Sequence, residues 1–436
     1  MESKISKSSS AIHHELLRLS QPIRESLSKA HYNQPESTNV STKSLLESLL
    51  PNQNPNPNEI EVEIRDFCLC LAALASVSSE KGEFLLSWVP RELSIAANDA
   101  FEELSKVYFG GLGGEEECVG GEFRGVSEEK KLVVKLMPEV FPLLKDTIKA
   151  SSIDTSDDGG DEIAAASARS PVGYAIVAAC QFRWFATQID YTHLGKLCSL
   201  VIPCALTILD HWSPQVKGEG MRSFVHLMKN VSAAELSWYE DVILDICCRN
   251  IASTDELWHH VVEMSVLSLI YFQGKNPRSS WFEKMMNEML SHLERQPRLK
   301  ERRTAWLELI EPVLNSMGLV LLAHFRRIFS LFFQWMHADD DKTVLLLTWN
   351  HFLVEPAITY SMDEELNVSM ILQVLQRVYT VMKLTWIRNT SYTERLIDEL
   401  AITYKEAALK RNRDEIREHV LRILILLQQY AFFSPH

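Results

Sequence analysis

An all-α fold, an α-solenoid of HEAT/ARM-like helical repeats, is what this 436-residue sequence predicts. From about Ile163 onward apolar residues recur at helical spacing, with short breaks and no sustained two-residue alternation. Successive first helices are expected to begin near residues 197, 239, 280, 319 and 365, a period of roughly 40 residues that suits stacked helix pairs. Four breaks carry a Ser with a Glu three residues on, at Ser232/Glu235, Ser253/Glu256, Ser361/Glu364 and Ser391/Glu394. That spacing lets two side chains satisfy the first free amides of a helix.

Along the chain, Ile12, Leu16, Leu19, Ile23 and Leu27 mark a weak amphipathic helix that Pro22 is expected to interrupt. The stretches HYNQPESTNVST and PNQNPNPN read as linkers around a short apolar segment, so residues 1–60 are expected to be mostly flexible. Residues 61–162 are expected to hold N-terminal helical repeats, with helical patterns at 61–76 and 94–109. The acidic loops GGLGGEEECVGGEFRG and SSIDTSDDGGDE interrupt them. Residues 163–436 are expected to form the main repeat array. Its best-marked unit has the apolar helix Leu200–Leu209 with Pro203 inside it and Asp210 at the turn. A second helix opening at Val216-Lys217 carries the small Gly220, which allows close packing on the first. Farther on, Phe325, Ile328, Phe329, Phe332 and Met336 make an apolar stripe opposite His324, Arg326, Arg327 and Gln334. A helix pair cannot bury such a stripe alone, whereas stacked neighbours can.

Composition and charge narrow the function. With 46% hydrophobic residues the chain forms a core, which excludes wholly disordered or collagen-like classes. The net charge of -14 disfavours a nucleic-acid-binding role, since such proteins bring a basic surface to the phosphates. Acids outnumber bases 22 to 11 in residues 61–170, whereas residues 171–436 hold 30 acids and 27 bases. Local basic patches therefore remain open to the C-terminal part. The eight cysteines lie mostly in apolar stretches without paired CxxC spacing, as expected of reduced core thiols in a cytoplasmic and nuclear protein. The apolar runs Leu197–Leu209 and Pro171–Phe182 fall short of the ~20 residues of a membrane span. No secretory signal is expected from MESKISKSSS.

Catalytic and cofactor motifs are wanting. The glycine cluster GGLGG is followed by three glutamates, which repel phosphate, and no Lys-Ser/Thr follows. His259-His260-Val-Val-Glu263 places His259 and Glu263 one turn apart, two ligands without a visible third. No enzyme activity, cofactor or metal is therefore expected. The sharpest charge feature is cationic: Lys300, Arg302, Arg303, Arg326 and Arg327 fall within 28 residues and are expected to form a docking patch for an acidic partner segment.

From Leu200 to about Arg388 the sequence resembles the Tti-two family, a subunit family of the Tel-Tti-Tti co-chaperone complex. The resemblance rests on Pro203 to Asp210, Lys217 to Gly220, Asn230-Val-Ser-Ala-Ala-Glu-Leu236 and Tyr239. A second block follows in order, with Arg302-Arg303-Thr304, Leu314, Met317-Gly318, His324 and Arg326 or Arg327. It implies a non-enzymatic scaffold that binds the other Tel and Tti subunits. Through the heat-shock protein 90 machinery, such a scaffold supports maturation of phosphatidylinositol-3-kinase-related kinases. No direct nucleic-acid or membrane partner is implied. A generic HEAT/ARM adaptor of transport or trafficking is the alternative.

Overall fold

A computed structural model describes residues 2–33, 40–52, 60–77, 86–111, 126–152, 170–336, 372–381, 393–409 and 414–433. All regular structure among them is helical. The chain divides into two compact units, Met1–Trp238 and Tyr239–His436. Residues 112–125 and 153–162 of the two acidic stretches, the fifth repeat start near 365 and the Ser361 and Ser391 caps fall outside the described residues.

The first unit comprises α1 (Glu2–Lys29), α2 (Thr42–Ser48), α3 (Ile60–Ala75), α4 (Arg91–Gly111), α5 (Glu128–Ala150), α6 (Val172–Thr187), α7 (Tyr191–Leu194), α8 (Cys198–Leu209), α9 (Pro214–Asn230) and α10 (Ala233–Leu236). Three antiparallel pairs, α3/α4, α5/α6 and α8/α9, stack side by side in two layers. One layer runs α1–α4–α5–α8 and the other α3–α6–α9. Sequence explains the assignment. Both α3 and α6 are apolar nearly all round, with Phe67 to Leu74 and Ala175 to Phe182 buried in succession, and such helices need neighbours on every side. Gln181 of α6 donates from its amide to the buried Leu69 carbonyl of α3 at 3.0 Å, a polar tie within that layer.

The N-terminal segment is more ordered than its composition suggests. Pro22 does not interrupt α1, which runs unbroken through it. Burial of Ile12, Leu16, Leu19, Ile23 and Leu27, against α3 and α4, outweighs the hydrogen bond the proline removes. The described ends of the first linker are also tied down. Tyr32 packs edge-on against Trp88 at 5.1 Å, and its hydroxyl accepts the Thr42 amide at 3.1 Å.

In the second unit are α11 (Glu240–Asn250), α12 (Trp258–Gln273), α13 (Ser280–Arg295), α14 (Lys300–Leu309), α15 (Glu311–Met317), α16 (Phe325–Met336), α17 (372–381), α18 (Thr393–Leu409) and α19 (Asp414–Phe433). First helices α11, α13 and α16 pack in series, and α12 packs on α14 and α15. The expected starts at 197, 239 and 280 match helices beginning at Cys198, Glu240 and Ser280. Near 319 a 3-10 segment, Gly318–His324, precedes α16. Gly318 has φ +51°, in the left-handed region where a β-carbon is strained, so the Met317-Gly318 pair is a chain reversal only glycine makes cheaply. Trp258, Trp306, Trp335, Phe329 and Phe332 are fully buried, with Trp306 and Trp335 edge-to-face at 6.0 Å. Phe325 and Ile328 are buried with them, as the stripe predicts. His324 is not on the solvent side as expected; it is buried, and burial pushes its imidazole below the ordinary value.

Of the capping boxes, Ser232/Glu235 forms, with the Ser232 amide 3.1 Å from Glu235 Oε2. Ser253/Glu256 does not. The 3-10 turn Asp255–Leu257 starts after Thr254, one residue later than that box requires, and Asp255 is held by Arg302 at 2.5 Å. The seven described cysteines are free and buried, and burial pushes the thiols of Cys70, Cys204 and Cys247 up to about 12. Cys118 lies outside the described residues.

The α8–α9 pair shows what its glycine does. A β-carbon on Gly220 would sit 2.7 Å from Ile208 Cγ2 and 3.3 Å from Leu209 Cδ2. Gly220→Leu is expected to destabilise the chain by about 1–3 kcal/mol through overpacking, read as a lowered melting temperature. An unchanged melt would mean that α9 slides away from α8 without loss.

The turn between these helices is organised by His211 rather than by the exposed Asp210 beside it. His211 Nδ1 accepts the Ser213 amide at 3.0 Å, and Nε2 is 2.9 Å from Ser151 Oγ at the end of α5. Burial is the main cause that lowers this imidazole from 6.5 to about 4. The unfolded chain therefore takes the proton first, so stability is expected to fall as pH drops from 6.5 toward about 4. Thermal melts across that window should show a shallower pH dependence for His211→Asn; an identical slope would rule the histidine out.

Candidate partner interface

The five cations expected to form one docking patch are brought to neighbouring helices but divided by burial. Lys300 opens α14 and is exposed, as is Arg326 in the first turn of α16. Arg302 and Arg303 correct the expectation: both are buried, Arg303 completely. The reason is position. Lys300 is the first residue of α14, at its exposed end, whereas Arg302, Arg303, Ala305, Trp306 and Leu307 are the buried residues of the helix, which packs on α12. Arg302 Nε donates to Asp255 Oδ1 at 2.5 Å, its guanidinium lies 5.3 Å from the Trp258 ring centre, and Nη1 is 3.4 Å from His292 Nδ1. It fastens α14 to the turn that precedes α12. Two positive charges expected to face a partner are used inside the fold instead.

Arg327 joins first helices. Its guanidinium forms a two-pronged pair with Glu294 at 2.7 and 2.8 Å and also reaches Asn287 Oδ1 at 2.9 Å and Ser291 Oγ at 3.0 Å. These three acceptors are one helical face of α13, so Arg327 links α13 to α16 and its charge is largely neutralised there. Arg377, which sequence reasoning passed over, acts likewise. It donates to the Leu307 carbonyl at 2.9 Å and pairs with Glu311, anchoring α17 on α14 and α15. Of the five expected residues, Lys300 and Arg326 offer charge to solvent.

A comparable network sits inside the first unit. Glu219 of α9 is buried and pairs with Arg183 of α6 and, at 3.2 Å, with Arg222 one turn along. Arg183 also donates to the Ser76 carbonyl at the end of α3. Three successive helices of one layer thus meet at the Arg183 guanidinium. The sequence signal was slight, a lone Glu between Gly218 and Gly220 on a helix whose neighbours are apolar.

Exposed aromatics are what the sequence missed. Trp238 is 89% exposed in the 3-10 turn Ser237–Tyr239, beside the Tyr239 quoted for the family motif, and Tyr191 is 63% exposed. Tryptophan is ordinarily read as core, and burial here is decided by which side of a short turn the ring leaves. Large aromatic side chains are enriched in the buried centres of protein interfaces, and among described residues no single helix is long and apolar enough to cross a membrane.

Stacked helix pairs with buried ionic rivets make the chain a helical-repeat scaffold. No family model matches it. Human TELO2-interacting protein 2 is 24% identical over 171 residues, a match covering 36% of this chain and 33% of that protein. The Rattus norvegicus TELO2-interacting protein 2 is 22% identical over 170 residues, covering 37% and 33%. A solved structure of Kap95p with RanGDP aligns over 96% of this chain and 42% of its own, at 13% identity and TM-score 0.49. One of Kap121p covers 96% and 41%, at 12% identity and TM-score 0.38. The Arabidopsis thaliana protein At2g39910 is 49% identical over 434 residues, covering 98% of this chain and 90% of that protein, and the chain belongs to its family.

Proposed function

We propose that this chain is a non-enzymatic scaffold subunit of a Tel-Tti-Tti co-chaperone, working in cytoplasm and nucleus. It binds the other Tel and Tti subunits and, through them and the heat-shock protein 90 machinery, supports maturation of phosphatidylinositol-3-kinase-related kinases. The observation that carries this reading is the 24% identity over 171 residues with human TELO2-interacting protein 2. Supporting it, several of the resembling residues have structural work: Gly220 packs on Ile208, Ser232 and Glu235 cap a helix, and Gly318 reverses the chain. Lys300, Arg326 and the exposed Trp238 are the groups we assign to partner contact. Stable partner capture needs no catalytic constellation; it needs a rigid frame that presents such groups.

Affinity purification of the tagged full-length chain with mass spectrometry tests this, and recovery of the other Tel and Tti subunits is expected. Lys300→Glu with Arg326→Glu should lower that recovery and make its salt dependence shallower while leaving the melt unchanged. Reproducible capture of a different set of proteins, with neither Tel nor the second Tti subunit among them, would overturn the assignment.

A further inference from the structure

The start of α12 gathers metal-binding side chains that the scaffold reading does not use. Trp258 pins this end of the helix: its ring is fully buried and its Nε1 donates to the Ile251 carbonyl at 3.1 Å. With that register set, His259 is exposed and His260 and Glu263 are half-buried. At 3.6 residues per turn, Glu263 projects about 40° from His259 and about 60° from His260, on the arc between them. One ion above that arc reaches all three. Sequence spacing left the group one ligand short because adjacent histidines on a helix diverge. In the folded chain one ligand atom from each of the three lies within 4.8 Å of the others, and the two rings are perpendicular with centres 5.8 Å apart.

The neighbouring helix supplies a fourth donor. Glu308, on the exposed side of α14, has Oε2 3.9 Å from His259 Nε2. Donors about 2.0–2.1 Å from a tetrahedral zinc ion are ~3.4 Å from one another. The separations among His259, His260 and Glu263, and that of His259 from Glu308, close to that value by side-chain rotation, which partly exposed groups allow. Two imidazoles with two carboxylates favour a borderline metal over calcium or magnesium, which prefer all-oxygen sites.

We propose that His259, His260 and Glu263, completed by Glu308, bind one zinc ion that clamps α12 to α14. The ion sits on the solvent side of the two helices, where it enters without opening the core. The clamp adds a metal-dependent link beside the ion pair of Arg302 on α14 with Asp255 in the turn before α12.

Titration calorimetry of the full-length chain with Zn2+ alone is the test. One saturable site is expected, with a Zn2+-dependent rise in melting temperature. The Co2+-loaded chain should lack a thiolate charge-transfer band, as the buried cysteines predict. His259→Asn with Glu263→Gln should abolish the site while the metal-free melt stays as in the parent chain. Glu308→Gln should weaken binding about tenfold or more, since even outer partners of metal ligands matter that much. Absence of saturable Zn2+ binding, or binding unchanged by the double substitution, would overturn the site. Affinity unchanged by Glu308→Gln would overturn the clamp between helices.

Discussion

Reversing both charges at Arg302 and Arg303 is expected to unfold the second unit, not merely to weaken partner capture. Each guanidinium is buried, and Arg302 is held by Asp255, so Arg302→Glu sets two carboxylates against each other beneath Trp258. Arg303→Glu puts a carboxylate in a fully buried place. Removing one partner of a fully buried pair costs about 3–5 kcal/mol; Asp255 is half-exposed, so loss of this pair alone costs less, and charge reversal adds repulsion and a buried carboxylate to that loss. Because a typical domain has only about 5–15 kcal/mol in hand, loss of helicity and rapid proteolysis across residues 239–436 are the expected readouts. Lys300→Glu with Arg326→Glu is the control, since surface changes usually stay within about 0.5 kcal/mol. A double reversal that melts like the parent chain would show that both guanidiniums reach solvent.

Glu219→Ala is expected to be the most damaging single truncation of a charge in the first unit, at about 3–5 kcal/mol. Its carboxylate serves Arg183 and Arg222 together, and Arg183 continues to the Ser76 carbonyl, so one deletion leaves two cations without their buried acceptor. Glu219→Gln keeps an acceptor oxygen and should lose less. Adding Arg183→Met to Glu219→Ala should recover part of the stability, with a coupling of about 0.5–3 kcal/mol. Strict additivity of the two losses, measured by chemical denaturation, would dissolve the network.

Much of the fold was legible because helical burial is periodic. The spacing of Ile12, Leu16, Leu19, Ile23 and Leu27 predicted one buried face, and that face is buried. It could not predict that α1 passes through Pro22, because the compensation comes from contacts with α3 and α4, more than 30 residues away. Gly220 was readable for a related reason: a small residue on the second helix of a pair signals close approach to the first, and Ile208 is the side chain it approaches.

The candidate interface was legible only as a list of charges. Sequence by itself determined the all-helical character, the recurrence of helix starts near 197, 239 and 280, and the buried, reduced thiols of the described residues, all of which follow from local spacing of apolar residues. Tertiary structure alone decided which cations are rivets and which face solvent. Arg302 and Arg326 look alike along the chain, yet α12 and Asp255 enclose one and leave the other exposed. The same holds for His259, His260 and Glu263, whose fourth neighbour, Glu308, comes from the next helix pair. Periodicity reports a residue's own helix, and only the packing of the next helix fixes what its side chain meets.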